Sequence, residues 1–347
     1  MTTEQKTDFM RRCLQLARLG MGHVAPNPMV GCVVVVGNRI VAEGWHRQFG
    51  GPHAEVNALN ALADKSILRD VTLFVNLEPC SHYGKTPPCA LRLINDGVRR
   101  VVICNLDPNP QVAGRGVAML REAGVEVETG LLEAEGWQLN RRFFTYHTLH
   151  RPYITLKWAQ SADGYLDGNG DKPVRISTDL TKALVHKMRA EEMAILVGTR
   201  TALKDNPQLH TRRWFGPHPT RVVFDRNLSV PSDAHLLSDD QPTLIFNAVK
   251  EEAPRYVKID FEGDTLSALM SALYERSIQS LIVEGGRDTL QRFIERDLFD
   301  AVQIEVGDCY CGEGTPAPVW PNVRWEVCRY GTHLMYHYQK PLACHSS

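Results

Sequence analysis

Two α/β domains in tandem, each built in three layers, are what this sequence predicts, and three observations predict them. The first is length, since 347 residues exceed one ordinary domain and suit two. The second is the alternation, from Val30 onward, of short apolar runs with amphipathic ones, the pattern of sheets covered by helices on both faces. The third is a restart of that pattern near His150-Arg151-Pro152. The boundary is therefore expected between Tyr146 and Pro152, dividing the chain into residues 1–148 and 149–347.

The elements follow in order. A helix is predicted over Thr7–Gly20, with Thr7 as N-cap and Met10, Cys13, Leu14 and Ala17 on one face. Val30–Val36 and Ile40–Trp45 read as strands joined by the hairpin turn Gly37-Asn38. Then come a helix at His53–Ala63, a strand at Val71–Asn76, a helix at Pro88–Asp96 and a strand at Val101–Cys104. A helix at Gly116–Ala123, a strand at Val125–Thr129 and a helix from Leu132 complete the first half. A hairpin followed by βα units implies a mixed sheet. In the second half Tyr153–Trp158, Ile195–Val197, Arg221–Phe224, Thr243–Phe246 and Ser280–Val283 read as strands. Thr178–Ala190 reads as a helix with Leu180, Ala183, Leu184 and Met188 as its apolar side.

Composition narrows the class of partner. The hydrophobic fraction of 43% and charged fraction of 23% suit a soluble globular protein, and the formal net charge of −1 offers no general attraction to nucleic acid or membrane. No internal repeat or low-complexity segment is evident. Met1–Gly20 carries Glu4, Lys6, Asp8, Arg11 and Arg12 and so lacks the apolar core of a secretory signal. No apolar run is long enough to span a bilayer. Nine scattered cysteines fit a reducing, cytoplasmic setting.

Two cysteines stand apart. Pro52-His53-Ala54-Glu55 is followed by Pro79-Cys80 and, with eight residues between the cysteines, by Cys89. This is the His-x-Glu and Pro-Cys…Cys pattern of zinc deaminases, with a longer loop between the cysteines than the general form. One imidazole and two thiolates supply three tetrahedral positions and leave the fourth to water, whose pKa zinc lowers to roughly 7. Glu55 is not a ligand; it can take the water proton, give it to the ring nitrogen, and help ammonia leave. The alternative is a closed structural site with His82 as fourth ligand, in which Glu55 has no role. Cys309-x-Cys311 lacks a second ligand pair and reads as structural or incidental.

The first half resembles the deaminase half of the bifunctional riboflavin-biosynthesis deaminase–reductases. The resemblance rests on Ala25-Pro26-Asn27-Pro28-Met29-Val30-Gly31, Gly44-Trp45-His46, Gly50-Gly51-Pro52-His53-Ala54-Glu55, and Glu78-Pro79-Cys80 with Lys85-Thr86-Pro87-Pro88-Cys89. It implies a cytidine-deaminase-like fold in which Asn27, His46 and Lys85 touch substrate. The residue types agree, since Asn27 offers a donor and an acceptor to a pyrimidine edge and Lys85 a cation to a phosphate.

The second half resembles the reductase half of the same family, which implies a dihydrofolate-reductase-like fold. Matching segments run from Pro152 to Gly164, Met188 to Glu191, Ala194 to Thr199, Thr201 to Arg212, and Val283 to Gly286. No G-x-G-x-x-G follows a predicted strand, so a Rossmann site is not expected. Instead a strand ending at Val283 meets Glu284-Gly285-Gly286 and a helix from about Asp288, a turn that can bring phosphate to a helix N-terminus. The resemblance implies NADPH held by Ala159, Arg175, Thr201, Asp205, Gly286, Arg287 and Asp288. It also implies substrate held by Arg189, Leu209, Arg212 and Glu284, with Lys157 near the reacting sugar. Guanidinium forks suit a ribose phosphate.

Three departures from the family pattern stand in the second half. Arg175 occupies the position of a tryptophan beside the cofactor, and Pro173 that of a polar residue. Asp205-Asn206-Pro207 replaces Asp-Asp-Pro, and Val306–Gly312 is atypical. The function implied is riboflavin biosynthesis: zinc-dependent deamination of 2,5-diamino-6-(5-phosphoribosylamino)pyrimidin-4(3H)-one, then NADPH reduction of the ribosyl group to ribityl. Placing both steps on one chain raises the local concentration of the intermediate. The expected partner is a small phosphorylated pyrimidine, not nucleic acid or membrane, with homo-oligomerisation through the reductase half. Two rival readings are a deaminase with a cryptic reductase domain and a nucleic-acid editing deaminase.

Overall fold

The structure, a computed structural model, describes residues 1–83, 87–109, 113–170, 174–321 and 323–341. Lys85 and Pro173, singled out above, lie outside the described residues. The chain divides into two units, Met1–His150 and Arg151–Ser347.

In the first unit α1 (Thr3–Arg18) is followed by the hairpin β1 (Gly31–Val36) and β2 (Arg39–Trp45). Next come α2 (Ala54–Ala61), a 3-10 turn at Lys65–Arg69, β3 (Thr72–Leu77), α3 (Cys89–Asn95), β4 (Arg100–Asn105) and α4 (Arg115–Glu122). β5 (Glu126–Thr129), α5 (Glu133–Leu139) and α6 (Arg141–Leu149) close the unit. The sheet order is β2-β1-β3-β4-β5, with β1 antiparallel to both neighbours and β3, β4 and β5 parallel. β1 is apolar throughout because both its faces are covered. Val33 and Val35 join Met10, Cys13 and Phe74 on the α1 side, while Cys32 and Val34 join Ala58, Leu59 and Leu93 on the α2 and α3 side.

Two helices differ from the reading of the sequence. α1 begins at Thr3, not Thr7, because Thr2 and Gln5 form a capping box: Gln5 N donates to Thr2 Oγ1 at 3.3 Å, and Thr2 N to Gln5 Oε1 at 2.9 Å. The Thr7 hydroxyl instead donates to Thr3 O inside the helix. The terminal helix breaks in two at Asn140, whose amide turns inward and bonds both the N–H and the C=O of Met29 at 2.8 Å.

The second unit runs through β6 (Tyr153–Gln160), β7 (Tyr165–Gly168), α7 (Asp179–Glu191), β8 (Ala194–Gly198), α8 (Thr199–Asp205) and β9 (Thr220–Phe224). β10 (Thr243–Asn247), β11 (Tyr256–Lys258), α9 (Thr265–Glu275), β12 (Ser280–Val283) and α10 (Arg287–Glu295) follow. The last strands are β13 (Ala301–Val306), β14 (Gly314–Pro316), β15 (Glu326–Tyr330) and β16 (His333–Gln339). Among the described residues nine strands form one sheet in the order β11-β10-β9-β8-β12-β6-β13-β16-β15. It is parallel up to β13, and β16 is antiparallel to β13 and β15. One core lies on each face: Leu196, Leu281 and Val283 pack with α9 and α10, and Ile195, Val197 and Ile282 with Ala202 and Leu209.

α7 presents a different face from the one its apolar residues suggest. Thr181, Val185, His186 and Ala190 are buried, whereas Leu180 is 56% exposed; of the four apolar positions, Met188 packs on the core. The face is turned by about one residue, because Thr181 and His186 have hydrogen-bond partners inside and can be buried despite their polarity.

Candidate functional sites

The first site forms where α2 and α3 begin. His53 is the N-cap of α2 and Cys89 the first residue of α3, while Cys80 lies on the loop after β3. α2 can sit directly on β2 because Gly44 has no side chain; a Cβ there would come within 2.3 Å of Ala58 N. His53 Nδ1 is 3.6 Å from Cys80 Sγ and 3.3 Å from Cys89 Sγ, and Cys89 N donates to Cys80 Sγ at 3.3 Å. The three ligand atoms all lie within 4.8 Å of one another. This donor set fits zinc with one position open. His82 is exposed and stands outside the cluster, so the closed four-ligand alternative lacks its fourth donor among the described residues.

The protonation of the cluster follows from its crowding. A hydrogen bond with Cys89, against the cost of burial, holds the Cys80 thiol down to about 4, with His53 also stabilising the thiolate. The hydrogen bond to Cys80 pushes His53 up to about 9. Glu55, in the first turn of α2, is 3% exposed, and burial raises its carboxyl above the ordinary range. A carboxyl raised in this way is suited to accept a proton and give it back.

Asn27 and His46 meet beside these ligands. Asn27 Nδ2 lies 3.1 Å from His46 Nε2, and His46 Nδ1 lies 3.0 Å from Pro52 O. Because Pro52 O can only accept, His46 carries its proton on Nδ1 and accepts from Asn27 through Nε2. Burial lowers its pKa, which favours this neutral form. The rings of His46 and His53 are 5.5 Å apart, edge to face. The Asn27 segment is clamped from behind, since Asn76 Oδ1 accepts from Gly31 N at 2.7 Å and Asn140 holds Met29.

Two residues here escaped the sequence reading. Glu78 is buried and its carboxylate accepts from the N–H groups of Asp107, Gly114 and Val117, tying the Cys80 segment to the start of α4. Asp107 follows β4, and burial, with Glu78 and Cys80 adding their charges, pushes its carboxyl up to about 6. The available signal was position: Asp107 lies just beyond the C-terminal end of a parallel strand, where ligands of α/β sheets bind.

The second site is a cavity of about 790 Å³ at the C-terminal ends of β6, β8, β9 and β12. Of the expected cofactor residues, Ala159, Thr201, Asp205, Gly286, Arg287 and Asp288 line it, and so do Lys157 and Glu284. Arg175 does not; its side chain is 73% exposed and lies 3.5 Å from Asp179. The backbone cradle suits a phosphate. A Cβ on Gly286 would come 3.1 Å from Thr201 Oγ1, and one on Gly285 would come 3.2 Å from Gly198 N. Arg287 Nε is buried there with no hydrogen-bond partner. These features, at the start of α10, fit a dinucleotide phosphate. Asn206 ends α8 with φ 38°, a left-handed conformation asparagine tolerates, and its Oδ1 accepts from His235 N at 2.8 Å.

The expected substrate residues cluster beside that cavity. Arg189 makes a bidentate pair with Glu284, at 3.1 and 2.7 Å, and its Nη1 donates to His210 O at 3.3 Å. Burial alone would raise the Glu284 carboxyl, but Arg189 and Lys157 hold it down to about 2. Arg212 is exposed. The Leu209 side chain is 3% exposed and belongs to the core, so this residue can offer a ligand only its main chain, at φ 54°. Cys309 and Cys311 lie on a loop where Asp163 accepts from Cys311 N and Gly312 N.

A metal-ready deaminase centre on one unit and a dinucleotide-sized cavity on the other define a two-domain deaminase–reductase. The comparisons agree. Residues 3–105 match the cytidine and deoxycytidylate deaminase zinc-binding region, and residues 152–323 match the RibD C-terminal domain. The riboflavin biosynthesis protein RibD of Aquifex aeolicus is 40% identical over 324 residues, 90% of each chain. That of Bacillus amyloliquefaciens is 38% identical over 322 residues, 89% of this chain and 86% of the relative. The crystal structure of a diaminohydroxyphosphoribosylaminopyrimidine deaminase/5-amino-6-(5-phosphoribosylamino)uracil reductase from Thermotoga maritima superposes with a TM-score of 0.87 at 35% identity, covering 97% of this chain and 99% of that one. Acinetobacter baumannii RibD gives 0.88 at 29%, with the same coverage. The chain belongs to the RibD family, the bifunctional deaminase–reductases of riboflavin biosynthesis.

Proposed function

We propose that the Met1–His150 unit removes the 2-amino group of 2,5-diamino-6-(5-phosphoribosylamino)pyrimidin-4(3H)-one by hydrolysis. The Arg151–Ser347 unit then reduces 5-amino-6-(5-phosphoribosylamino)uracil to its ribitylamino product. The observation that carries this reading is the pairing of the His53, Cys80 and Cys89 donors with a buried, proton-accepting Glu55, on a chain whose other unit holds the glycine-lined cavity. When bound at their sites, zinc supplies an acidified water and NADPH a hydride.

The chain's own residues do the rest. Glu55 takes one proton from the attacking water and places it on the ring nitrogen, then moves the remaining hydroxyl proton to the amino group, so that the C–N bond breaks, ammonia leaves and the carbonyl forms. Asn27, oriented by neutral His46, faces the pyrimidine edge, and Lys85 the phosphate. In the second unit Arg212 offers an unburied guanidinium to the ribose phosphate, and Arg189, held by Glu284, fixes the chain around it. Lys157 and Glu284 border the sugar from the cavity wall.

This reading takes the substrate to be a small molecule and the enzyme to be cytoplasmic; among the described residues no helix is long and apolar enough to cross a membrane. It also takes the chain to form homo-oligomers through the second unit; the molar mass of the protein in solution, by light scattering, tests the oligomeric state. The deciding experiment follows ammonia release and NADPH oxidation together on the diamino substrate. Ammonia release followed by NADPH consumption supports both steps. Ammonia without NADPH consumption, even when the deaminated intermediate is supplied, leaves only the first.

A further inference from the structure

The phosphate-facing loop of the second unit, Gln208–Arg212, is held by backbone contacts from four different places. Arg221, fully buried, donates to Gln208 O at 2.9 Å. Arg189 donates to His210 O. His218 Nδ1 accepts from Thr211 N at 3.1 Å, and His186 Nδ1 accepts from Arg212 N at 3.1 Å. Of these four, the last acts on the residue that presents its guanidinium to the ligand. We propose that His186 is a positioning residue for the reductive step: by accepting the Arg212 N–H, it sets where the Arg212 side chain leaves the loop and so how tightly the substrate phosphate is gripped. This inference rests on the reading of Arg212 as a phosphate ligand.

His186 meets the loop's backbone at two residues, His210 and Arg212. It lies on the inward face of α7, 5% exposed, one turn before Arg189. The charged groups around it are Arg189 on its own helix, Arg212 on the loop, and Glu284 at the end of β12. Burial, followed by the two guanidinium charges, holds its pKa down to about 4, so at neutral pH it carries no charge and its Nδ1 lone pair is free for the Arg212 amide. On α7 the apolar Leu180 and Leu184 lie outside the buried set, and His186 lies within it. The Arg212 N–H, on an exposed residue, finds its acceptor in His186 Nδ1.

The test uses the full-length protein and two variants. His186→Phe keeps the bulk and removes the acceptor, whereas His186→Asn places a carbonyl oxygen at about the reach of Nδ1. The expected result for His186→Phe is a rise of about tenfold in KM for the aminoribosyl substrate, corresponding to the loss of one hydrogen bond, with kcat and the KM for NADPH within about twofold. His186→Asn restores most of that loss. Ammonia release by the first unit stays unchanged in both. Hydrogen exchange of the Arg212 amide gives a readout that needs no activity: protection falls in His186→Phe and returns in His186→Asn. Equal impairment of both variants, or a KM unchanged by His186→Phe, overturns the proposal. If Arg212→Ala leaves the substrate KM unchanged while the exchange result holds, the fault lies in the phosphate role of Arg212 rather than in the contact from His186.

Discussion

The two sites are built in opposite ways. The deaminase centre draws its ligands and proton carrier from two short segments, His53–Glu55 and Cys80–Cys89, each set by the start of a helix. The reductase site draws on at least five segments that meet only because β6, β8, β9 and β12 end at one edge of a parallel sheet. In the first, function rests on a few exact donors. In the second it rests on a scaffold of buried polar contacts, among them Arg189 with Glu284 and Arg221 with Asp239. Concentrated chemistry should fail abruptly when one group is removed; distributed chemistry should weaken by degrees.

The largest effect expected is from metal removal. Chelation to zinc-free protein should abolish ammonia release while leaving NADPH binding, measured by fluorescence titration, unchanged; joint loss would break the contrast. Glu55→Ala comes next. It should lower ammonia release by about 10²–10⁴-fold, the usual contribution of a general acid–base group. Metal analysis should still find zinc, and the deaminated intermediate should still be reduced. Arg212→Ala should raise the KM for that intermediate by roughly tenfold, the scale of one charge-assisted hydrogen bond, without affecting deamination.

The smallest effect is on stability against pH. His186 has a folded pKa of about 4, below the ordinary histidine value, so between these the unfolded chain binds the extra proton. Its contribution to stability is complete above about pH 6.5 and lost progressively as pH falls toward 4. Glu284, held down to about 2, adds a loss of the same sign below the ordinary carboxylate range. Hydrogen exchange of the second unit should therefore show lower stability at pH 4.5 than at 7, with a shallower slope in His186→Asn. An equal slope in the variant would assign the effect to other groups.

How far each site could be read from the sequence follows the same contrast. The metal ligands were legible because zinc chemistry demands particular residue types at short spacing, and local helix starts deliver them. The face of α7 was misread for the opposite reason. Periodicity counts apolar residues, yet Thr181 is buried with a capping partner three residues away, Thr178, and His186 with a partner on a distant loop, Arg212 N. Leu209 shows the same limit: the family resemblance marked the position, while only the fold shows that its side chain belongs to the core. Glu78 and Asp107 were missed because their significance comes from a loop and a helix start some 30 residues away.

What the sequence by itself determined was the α/β alternation, the donor set at His53, Cys80 and Cys89, and the acid–base partner at Glu55. All are expressed within a few residues, where helix geometry and ligand chemistry leave few alternatives. What only the tertiary structure decided was the neutral His46 bound to Asn27, the cradle of Gly198, Gly285 and Gly286, and the fixing of the Arg212 loop by His186. These depend on which distant groups are brought within hydrogen-bonding distance away from water, and that is settled by packing.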